Sequence, residues 1–141
     1  MQGEIVNIGI IGACGGRMNF SHLPNLKANP RAAFRAFCDL ETAKAERIAE
    51  EKGYEVGYVT DDMDKLMVDD GIQLLVAGLP HEVHKDVILR ACRAKKDLFI
   101  EKPMVLDCEE CAEVMEAVNS AGIRLMIGHN RRFAPTYTDA K

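Results

Sequence analysis

The sequence lacks the two features that most directly mark a membrane protein or a nucleic-acid-binding protein. None of its hydrophobic runs approaches the length of a membrane span. No basic cluster is longer than a pair, as at Lys95-Lys96 and Arg131-Arg132, and the formal net charge is −4. Because nucleic-acid-binding domains carry clustered positive charge, we expect neither a nucleic-acid partner nor a membrane partner.

We also expect no secretory leader in this stretch, and the number of cysteines is odd. Glu4 precedes the first apolar run, where a signal peptide would carry positive charge. The five cysteines are scattered along the chain, which favours reduced thiols and a cytoplasmic location. The length of 141 residues suits a single domain, which we assign to residues 1–141.

The most informative stretch is residues 4–20, EIVNIGIIGACGGRMNF. Residues 5–11 are rich in Ile and Val, which is typical of a buried strand in a parallel sheet. A glycine-rich turn and a helix-like segment follow. Strand, glycine turn and helix form the context in which a dinucleotide pyrophosphate is bound, because backbone N–H groups and the helix N-terminus face the phosphates.

The spacing of the glycines departs from the common G-x-G-x-x-G pattern. Counting from Gly12, Cys14 and Arg17 occupy the second and third glycine positions, and the other two glycines are Gly15 and Gly16. The alternative is therefore a turn that only reverses the chain, and the rest of the sequence has to decide.

Strand-like and helix-like segments alternate along the chain. The alternation predicts an α/β fold, a doubly wound parallel sheet of the Rossmann dinucleotide-binding type with about six strands and helices on both faces. After the first strand, the predicted strands are residues 32–38, 54–60, 72–77, 97–100 and 124–128. The predicted helices are a short one capped by Ser21 that ends near residue 29, then residues 40–52, 61–68, 82–94 and 107–121, and one that starts at Pro135. The periodicity places these side chains toward the core: Ala45, Ile48, Ala49, Val83, Val87, Ile88, Ala91, Cys92, Cys111, Val114, Met115 and Val118.

Polar, glycine and proline residues follow the predicted strands. They lie at residues 12–17, 39, 78–84, 101–103 and 129–132. Because the carboxyl ends of parallel strands meet at one edge, where such sheets bind their ligands, we expect these segments to form one site.

Two residues at this edge are candidates for binding the ligand or for catalysis. Asp39 can accept hydrogen bonds from the adenine ribose hydroxyls; the alternative is that it caps the helix that begins at Leu40. Leu40 offers no cation to a 2′-phosphate, which favours NAD, although Arg17 in the turn keeps NADP possible. Lys102, whose backbone Pro103 restricts, can donate to or take a proton from a substrate oxygen; the alternative is a solvated lysine.

A zinc site is a further alternative, built from His81, His84, Cys108 and Cys111. We disfavour it, because Cys111 lies on the core face of a helix, where free cysteine is common. No metal site is predicted.

The order of five segments, GIIGACGG, FCD, LPHEVH, EKP and GHNRRFAP, resembles the Gfo/Idh/MocA oxidoreductases. The resemblance runs from the first strand to the last residues. It implies that Lys102 is the catalytic lysine beside the nicotinamide and the substrate oxygen. The cofactor-binding positions that it implies are Gly12, Ala13, Cys14, Gly15, Gly16 and Arg17 at the pyrophosphate, Asp39 and Leu40 at the ribose, Leu79, Pro80 and His84 along the cleft, and Glu101, Lys102, Asn130 and Arg131 toward the nicotinamide. Cys14 replaces a usual glycine, and Leu79 stands where Ser or Thr is frequent.

The resemblance also implies an activity. It is hydride transfer between NAD, or NADP, and a secondary alcohol or ketone of a sugar, cyclitol or related polyol, in a homo-oligomer. The family carries a second, α+β substrate domain after this one, so we expect a longer enzyme and an inactive 141-residue chain. The alternatives are a non-catalytic dinucleotide-binding module or sensor, and a doubly wound interaction domain without a nucleotide.

Overall fold

The apolar run after Ile5 forms a central strand of a parallel sheet. A computed structural model describes residues 4–138 of the chain. All the strand pairs are parallel, in the order β3-β2-β1-β4-β5-β6. The strands are β1 (Val6–Ile11), β2 (Ala32–Cys38), β3 (Val56–Thr60), β4 (Leu74–Ala77), β5 (Asp97–Ile100) and β6 (Leu125–Ile127). The predicted doubly wound fold is therefore confirmed, with strand order reversing between β1 and β4.

Helices connect successive strands. They are α1 (Leu23–Lys27), α2 (Thr42–Lys52), α3 (Met63–Val68), α4 (His84–Arg93), α5 (Cys108–Ala121) and, after β6, α6 (Pro135–Thr138). Side-chain caps start two of them, since Asp62 accepts from Asp64 N–H and Asp107 from Glu110 N–H. None of the helices within residues 4–138 is long and apolar enough to cross a membrane.

The core lies on both faces of the sheet. On one face α1 and α2 pack around Ile8, Ile10 and Phe37. On the other face α3, α4 and α5 pack around Leu75 and Leu98. Each of these five side chains is 2% exposed or less, and full burial of one such side chain stabilises the fold by about 1.5–3 kcal/mol.

The register of the sheet brings the strand ends level. Ile11 lies opposite both Cys38 and Ala77, Ala77 lies opposite Ile100, and Ile100 lies opposite Ile127. The residues that follow these strands therefore start from one edge, as the sequence predicted.

Three local predictions were wrong. The helix after the glycine turn already begins at residue 16 and passes through a π-helical segment, Met18–His22, into α1, so Ser21 lies inside it and caps nothing. Val83 is 40% exposed, because it belongs to a 3-10 turn, His81–Val83, before α4. Met115 is 45% exposed, because α5 turns Val114 and Val118 toward the core instead.

Candidate functional site

The turn after β1 is wedged between the ends of two other strands. Its first residue, Gly12, has φ +81°, and a Cβ there would lie 2.2 Å from the carbonyl oxygen of Gly78. The backbone N–H groups of Gly12 and Ala13 donate to Cys38 O at 2.9 and 3.3 Å. Only glycine combines this backbone conformation with this close approach.

The helix that follows presents its N-terminus at the same edge. Its first hydrogen bond runs from Asn19 N to Gly15 O at 3.0 Å, and the Asn19 side-chain amide donates to carbonyl oxygens of the turn at 2.7 and 3.0 Å. The N–H groups of Gly16, Arg17 and Met18 consequently have no acceptor within the helix. Such a terminus attracts phosphate oxygens, because its N–H groups and dipole are positive.

Asp39 joins the glycine turn to the loop after β2. Its carboxylate accepts Cys14 N–H at 2.8 Å and Glu41 N–H at 3.1 Å. The helix-cap alternative was wrong, since α2 begins at Thr42, and Glu41, at the cap position, makes no side-chain cap bond. A carboxylate has about four lone-pair positions, so Asp39 can still accept from ligand hydroxyls.

Cys14 keeps its thiol uncharged in the turn. Burial, and next the Asp39 carboxylate, raise its pKa to about 11. At neutral pH the thiol is therefore protonated, and Sγ donates to Glu41 O at 3.7 Å. No thiolate stands at this position to repel a bound phosphate.

Three adjoining cavities form one cleft along this edge, which we call the edge cleft. The first, of 420 Å³, shares Gly15, Gly78 and Leu79 with the second, of 290 Å³, and the second shares Arg17 and Lys102 with the third, of 500 Å³. The first cavity is also lined by Ile11, Gly12, Cys14, Cys38, Asp39, Leu40, Glu41, Asp61, Met63 and Pro80. The second adds Gly16, Met18, His81 and Glu101, and the third adds His129, Asn130, Arg131 and Arg132.

Lys102 lies where the second and third cavities meet. Its side chain is exposed, and its peptide bond to Pro103 is cis, which the sequence did not predict. The preceding residue, Glu101, is largely buried, accepts a hydrogen bond from His22 Nε2 at 2.7 Å and forms an ion pair with Arg17 Nε at 3.4 Å. Because a carboxylate only accepts, His22 carries a proton on Nε2. Glu101 thus ties the end of β5 to the helix after the glycine turn.

His84 does not border the edge cleft, contrary to the expectation. It is 0% exposed, with Nδ1 2.7 Å from Pro103 O and Nε2 3.2 Å from Leu79 O. The first turn of α4 carries this ring inward beneath both loops. His84 therefore holds the loop after β4 against the loop after β5, below the surface that Leu79 and Lys102 line.

Most of the other predicted positions do line the edge cleft. Leu40 is 90% exposed at the first cavity, and Asn130 and Arg131 line the third. Ala13 is buried, and its N–H is used within the fold. Sequence reasoning singled out neither Glu41 nor His22, because nothing in their local sequence links them to the cleft.

One group of metal-capable side chains comes together within residues 4–138, namely Cys14, Asp39 and Glu41, whose ligand atoms lie within 4.8 Å of one another. The four residues of the zinc alternative form no such group there. Both ring nitrogens of His84 face carbonyl oxygens.

A larger cavity, of 610 Å³, lies away from the edge cleft. Its apolar lining includes Leu74, Val76, Phe99 and Met126 from β4, β5 and β6. It opens on the face of the sheet that α1 covers, toward the amino ends of the strands rather than their carboxyl ends. Faces of parallel sheets are normally covered by packed polypeptide, so we regard this cavity as a packing surface.

Comparison with known proteins identifies the family to which the chain belongs. Residues 6–129 match the family GFO_IDH_MocA, described as "Oxidoreductase family, NAD-binding Rossmann fold". The chain is 34% identical over 127 residues to scyllo-inositol 2-dehydrogenase (NAD(+)) of Bacillus subtilis (strain 168), covering 89% of this chain and 36% of that protein. It is 35% identical over 132 residues to inositol 2-dehydrogenase of Rhizobium meliloti (strain 1021), covering 94% and 38%.

Among solved structures, apo scyllo-inositol dehydrogenase from Lactobacillus casei superposes with a TM-score of 0.86 at 27% identity, covering 99% of this chain and 41% of that one. The chain spans about two fifths of the length of these relatives.

Proposed function

Since the chain belongs to the Gfo/Idh/MocA oxidoreductase family with its NAD-binding Rossmann fold, we propose that it forms the cofactor-binding part of a dehydrogenase that oxidises a secondary alcohol of a cyclitol, sugar or related polyol. One observation carries this proposal. The cavities of the edge cleft share lining residues in succession, from the Asp39 carboxylate, past the helix N-terminus, to Lys102.

The residues of the edge cleft fit a dinucleotide from end to end. Asp39 would accept hydrogen bonds from the adenosine ribose. The N–H groups of Gly16, Arg17 and Met18 would bind the pyrophosphate, and the nicotinamide would lie toward Lys102. Gly12 supports this arrangement, because its missing side chain lets the turn approach the end of β4. When bound, the nicotinamide supplies the hydride acceptor.

Lys102 would act on the substrate oxygen. Oxidation of an alcohol removes a hydride from carbon and a proton from oxygen, and a positioned lysine can hydrogen-bond that oxygen or accept its proton. Glu101 would position the lysine indirectly, since its ion pair with Arg17 and its hydrogen bond from His22 restrain the adjoining backbone. His84 would restrain the same backbone from its buried side, through the hydrogen bond between its Nδ1 and Pro103 O.

We further propose that NAD is preferred over NADP. The first cavity is lined by three carboxylates, those of Asp39, Glu41 and Asp61. A 2′-phosphate placed there would meet like charge, whereas ribose hydroxyls would find acceptors. Lys44 lies close, but its Nζ pairs with Glu41 at 2.7 Å.

The substrate class is proposed from the relatives, two of which are named as inositol 2-dehydrogenases. A separate substrate domain in the complete protein is proposed as well, supported by the apolar cavity on β4, β5 and β6. The five cysteines are free thiols, which supports a cytoplasmic location. The homo-oligomer stays a prediction.

The test uses the complete natural polypeptide. Asp39→Ala should weaken NADH binding by roughly 1–3 kcal/mol, the range of a lost charge-assisted hydrogen bond. The matched control is Asp70→Ala. Asp70 is exposed and lies in the loop before β4, at the amino ends of the strands and therefore away from the edge cleft. Calorimetry measures both affinities, and absorbance of NADH reports oxidation of myo-inositol and scyllo-inositol. No NADH binding by the wild type at millimolar concentration would refute the proposal.

A non-catalytic dinucleotide-binding module is the second candidate. The observation that favours it is the exposure of Lys102, since residues 4–138 do not desolvate this amine. The two functions separate cleanly: a module binds NADH but turns over none of the polyols.

A further inference from the structure

Two of the five cysteines lie together in the first turn of α5. Cys108 is the first residue of that helix, and Cys111 follows it by three positions. Both are free thiols, Cys108 exposed and Cys111 partly buried. Residues three apart on a helix share one face, with their Cβ atoms about 5–6 Å apart. The two thiols are therefore neighbours, and one of them is open to solvent.

The other three cysteines are in different surroundings. Cys38 and Cys92 are buried, and burial is the main cause that raises the pKa of both thiols, that of Cys38 to about 11. The pKa of Cys14 is raised to about 11 as well. These three thiols stay protonated at neutral pH, and none of them has another cysteine three positions away in the sequence.

The start of α5 favours thiol chemistry at this pair. The Asp107 carboxylate accepts Glu110 N–H at 2.8 Å, and the first backbone hydrogen bond of the helix runs from Cys111 N to Asp107 O at 3.2 Å. The helix dipole is positive at this end, and a helix N-terminus stabilises the thiolate that attacks disulfides. A C-x-x-C pair at the start of a helix within strand–helix alternation is typical of dithiol redox sites.

Acidic side chains surround the pair and select the charge of its reaction partner. Asp107, Glu109 and Glu110 adjoin the two cysteines in sequence. Lys85 offsets part of this charge, since its Nζ lies 2.7 Å from Glu113 and 4.0 Å from Glu110. The remaining negative charge repels an anionic disulfide, so an uncharged disulfide fits better.

From this arrangement we propose that Cys108 and Cys111 form a redox-active dithiol that exchanges with uncharged small-molecule disulfides. The Cys108 thiolate attacks one sulfur of the disulfide and expels the other as a thiolate, which leaves a mixed disulfide on Cys108. Cys111 then attacks Cys108 Sγ, which breaks the mixed disulfide and expels the second thiolate. The pair loses two electrons and two protons, and one small disulfide becomes two thiols.

Closing the bond changes only the first turn of α5. The Cβ atoms of a disulfide lie about 3.5–4.5 Å apart, roughly 1–2 Å closer than in a regular helix. Buried Val114 and Val118 hold the later turns against the core. Cys108 precedes that packing and is exposed, so it moves toward Cys111 while the core stays in place.

A metal ion held by the two thiols is the alternative chemistry. Structural zinc takes four ligands. Within residues 4–138, no further His, Cys, Asp or Glu joins Cys108 and Cys111 in a metal-capable group of three. The pair also lines none of the three cavities of the edge cleft. The dithiol proposal therefore stands or falls independently of the dehydrogenase proposal.

The test treats the complete natural polypeptide, fully reduced and folded, with bis(2-hydroxyethyl) disulfide, an uncharged probe. Remaining thiols are alkylated in denaturant, and tryptic peptides are weighed by mass spectrometry. Trypsin does not cut the Lys102–Pro103 bond, so residues 97–124 form one peptide that contains both cysteines of the pair and none of the other three. We expect this peptide to lose two hydrogen atoms and to regain them with dithiothreitol. The peptides of Cys38 and Cys92 are internal controls and should react at least about tenfold more slowly.

Two variants separate the roles of the cysteines. Cys111→Ser should accumulate the mixed disulfide on Cys108, because nothing resolves it. Cys108→Ser should form no disulfide in this peptide. A wild-type peptide that stays reduced, or that retains the probe on Cys108, would overturn the proposal. Oxidation of Cys38 and Cys92 as fast as the pair would overturn it too, and so would stoichiometric zinc on the reduced protein that both variants lose.

Discussion

Replacing Gly12 by alanine tests the physical basis of the cofactor turn. An alanine at φ +81° costs about 1–2 kcal/mol, because its Cβ crowds its own backbone. The Cβ would also lie 2.2 Å from Gly78 O, whereas contacts below 3.0 Å are essentially never observed. That oxygen belongs to the backbone after β4, which is tied to β1 by a hydrogen bond from Gly78 N to Ile11 O at 2.9 Å.

The strain cannot be relieved by moving a flexible side chain. Either the turn leaves Cys38, to which Gly12 N donates, or the end of β4 leaves β1. Overpacking of this kind costs about 1–3 kcal/mol. Together with the conformational cost, Gly12→Ala should destabilise the fold by about 2–5 kcal/mol, a large share of the roughly 5–15 kcal/mol that holds a typical domain. NADH binding should fall with it, because the turn and the helix N-terminus move together.

The matched control is Gly16→Ala, four residues away at the first position of the helix that follows the turn. No atom lies within 4 Å of a Cβ there, and the backbone does not have a positive φ. Alanine in a helix is better than glycine by about 1 kcal/mol, so stability should stay unchanged or rise slightly. Urea unfolding with linear extrapolation measures both changes. A Gly12→Ala protein within about 0.5 kcal/mol of the wild type, or equal destabilisation by both variants, would refute the reasoning.

Three further predictions follow from the site and the fold. Lys102→Ala in the complete enzyme should lower kcat by about 10²–10⁴-fold with little change in NAD affinity, and near-normal kcat in steady-state assays would exclude Lys102 from the chemistry. Leu40→Arg should raise the NADPH-to-NADH affinity ratio measured by calorimetry, since it brings a cation to the acidic first cavity; a wild type that already prefers NADPH would contradict the proposed specificity. The Arg35 side chain, aided by other hydrogen bonds, holds the pKa of Asp69 below its usual value, so this carboxylate stabilises the fold above the unfolded pKa of about 3.9 and loses that contribution as pH falls through the folded pKa. Asp69→Asn should therefore flatten the acid limb of stability in urea melts as the pH falls below the unfolded pKa of about 3.9, and an unchanged limb would show that Asp69 contributes nothing there.

Local sequence determined the sequence of strands and helices. Apolar runs predicted the bounds of β1, β2, β4 and β5 to within two residues. They could do so because a strand buried on both faces needs a continuous apolar run. Gly53 and Gly122 end α2 and α5 in the left-handed conformation, as glycines at those positions predict. The alternation then led to one parallel sheet, and the sheet placed the glycine turn, Asp39 and Lys102 at one edge.

Tertiary structure decided what each side chain at that edge contacts. His22 meets Glu101 across 79 residues, and His84 turns beneath the loops of Leu79 and Pro103 rather than into the cleft. Neither contact follows from spacing along the chain, because each depends on the register of separate strands and on the direction in which a helix leaves its turn. The same holds for the four cations of the third cavity, which come from segments after β1, β5 and β6. Periodicity along the chain indicates which face of a helix or strand is buried. Which side chain it contacts across a cleft depends on the packing of elements that are far apart in the sequence.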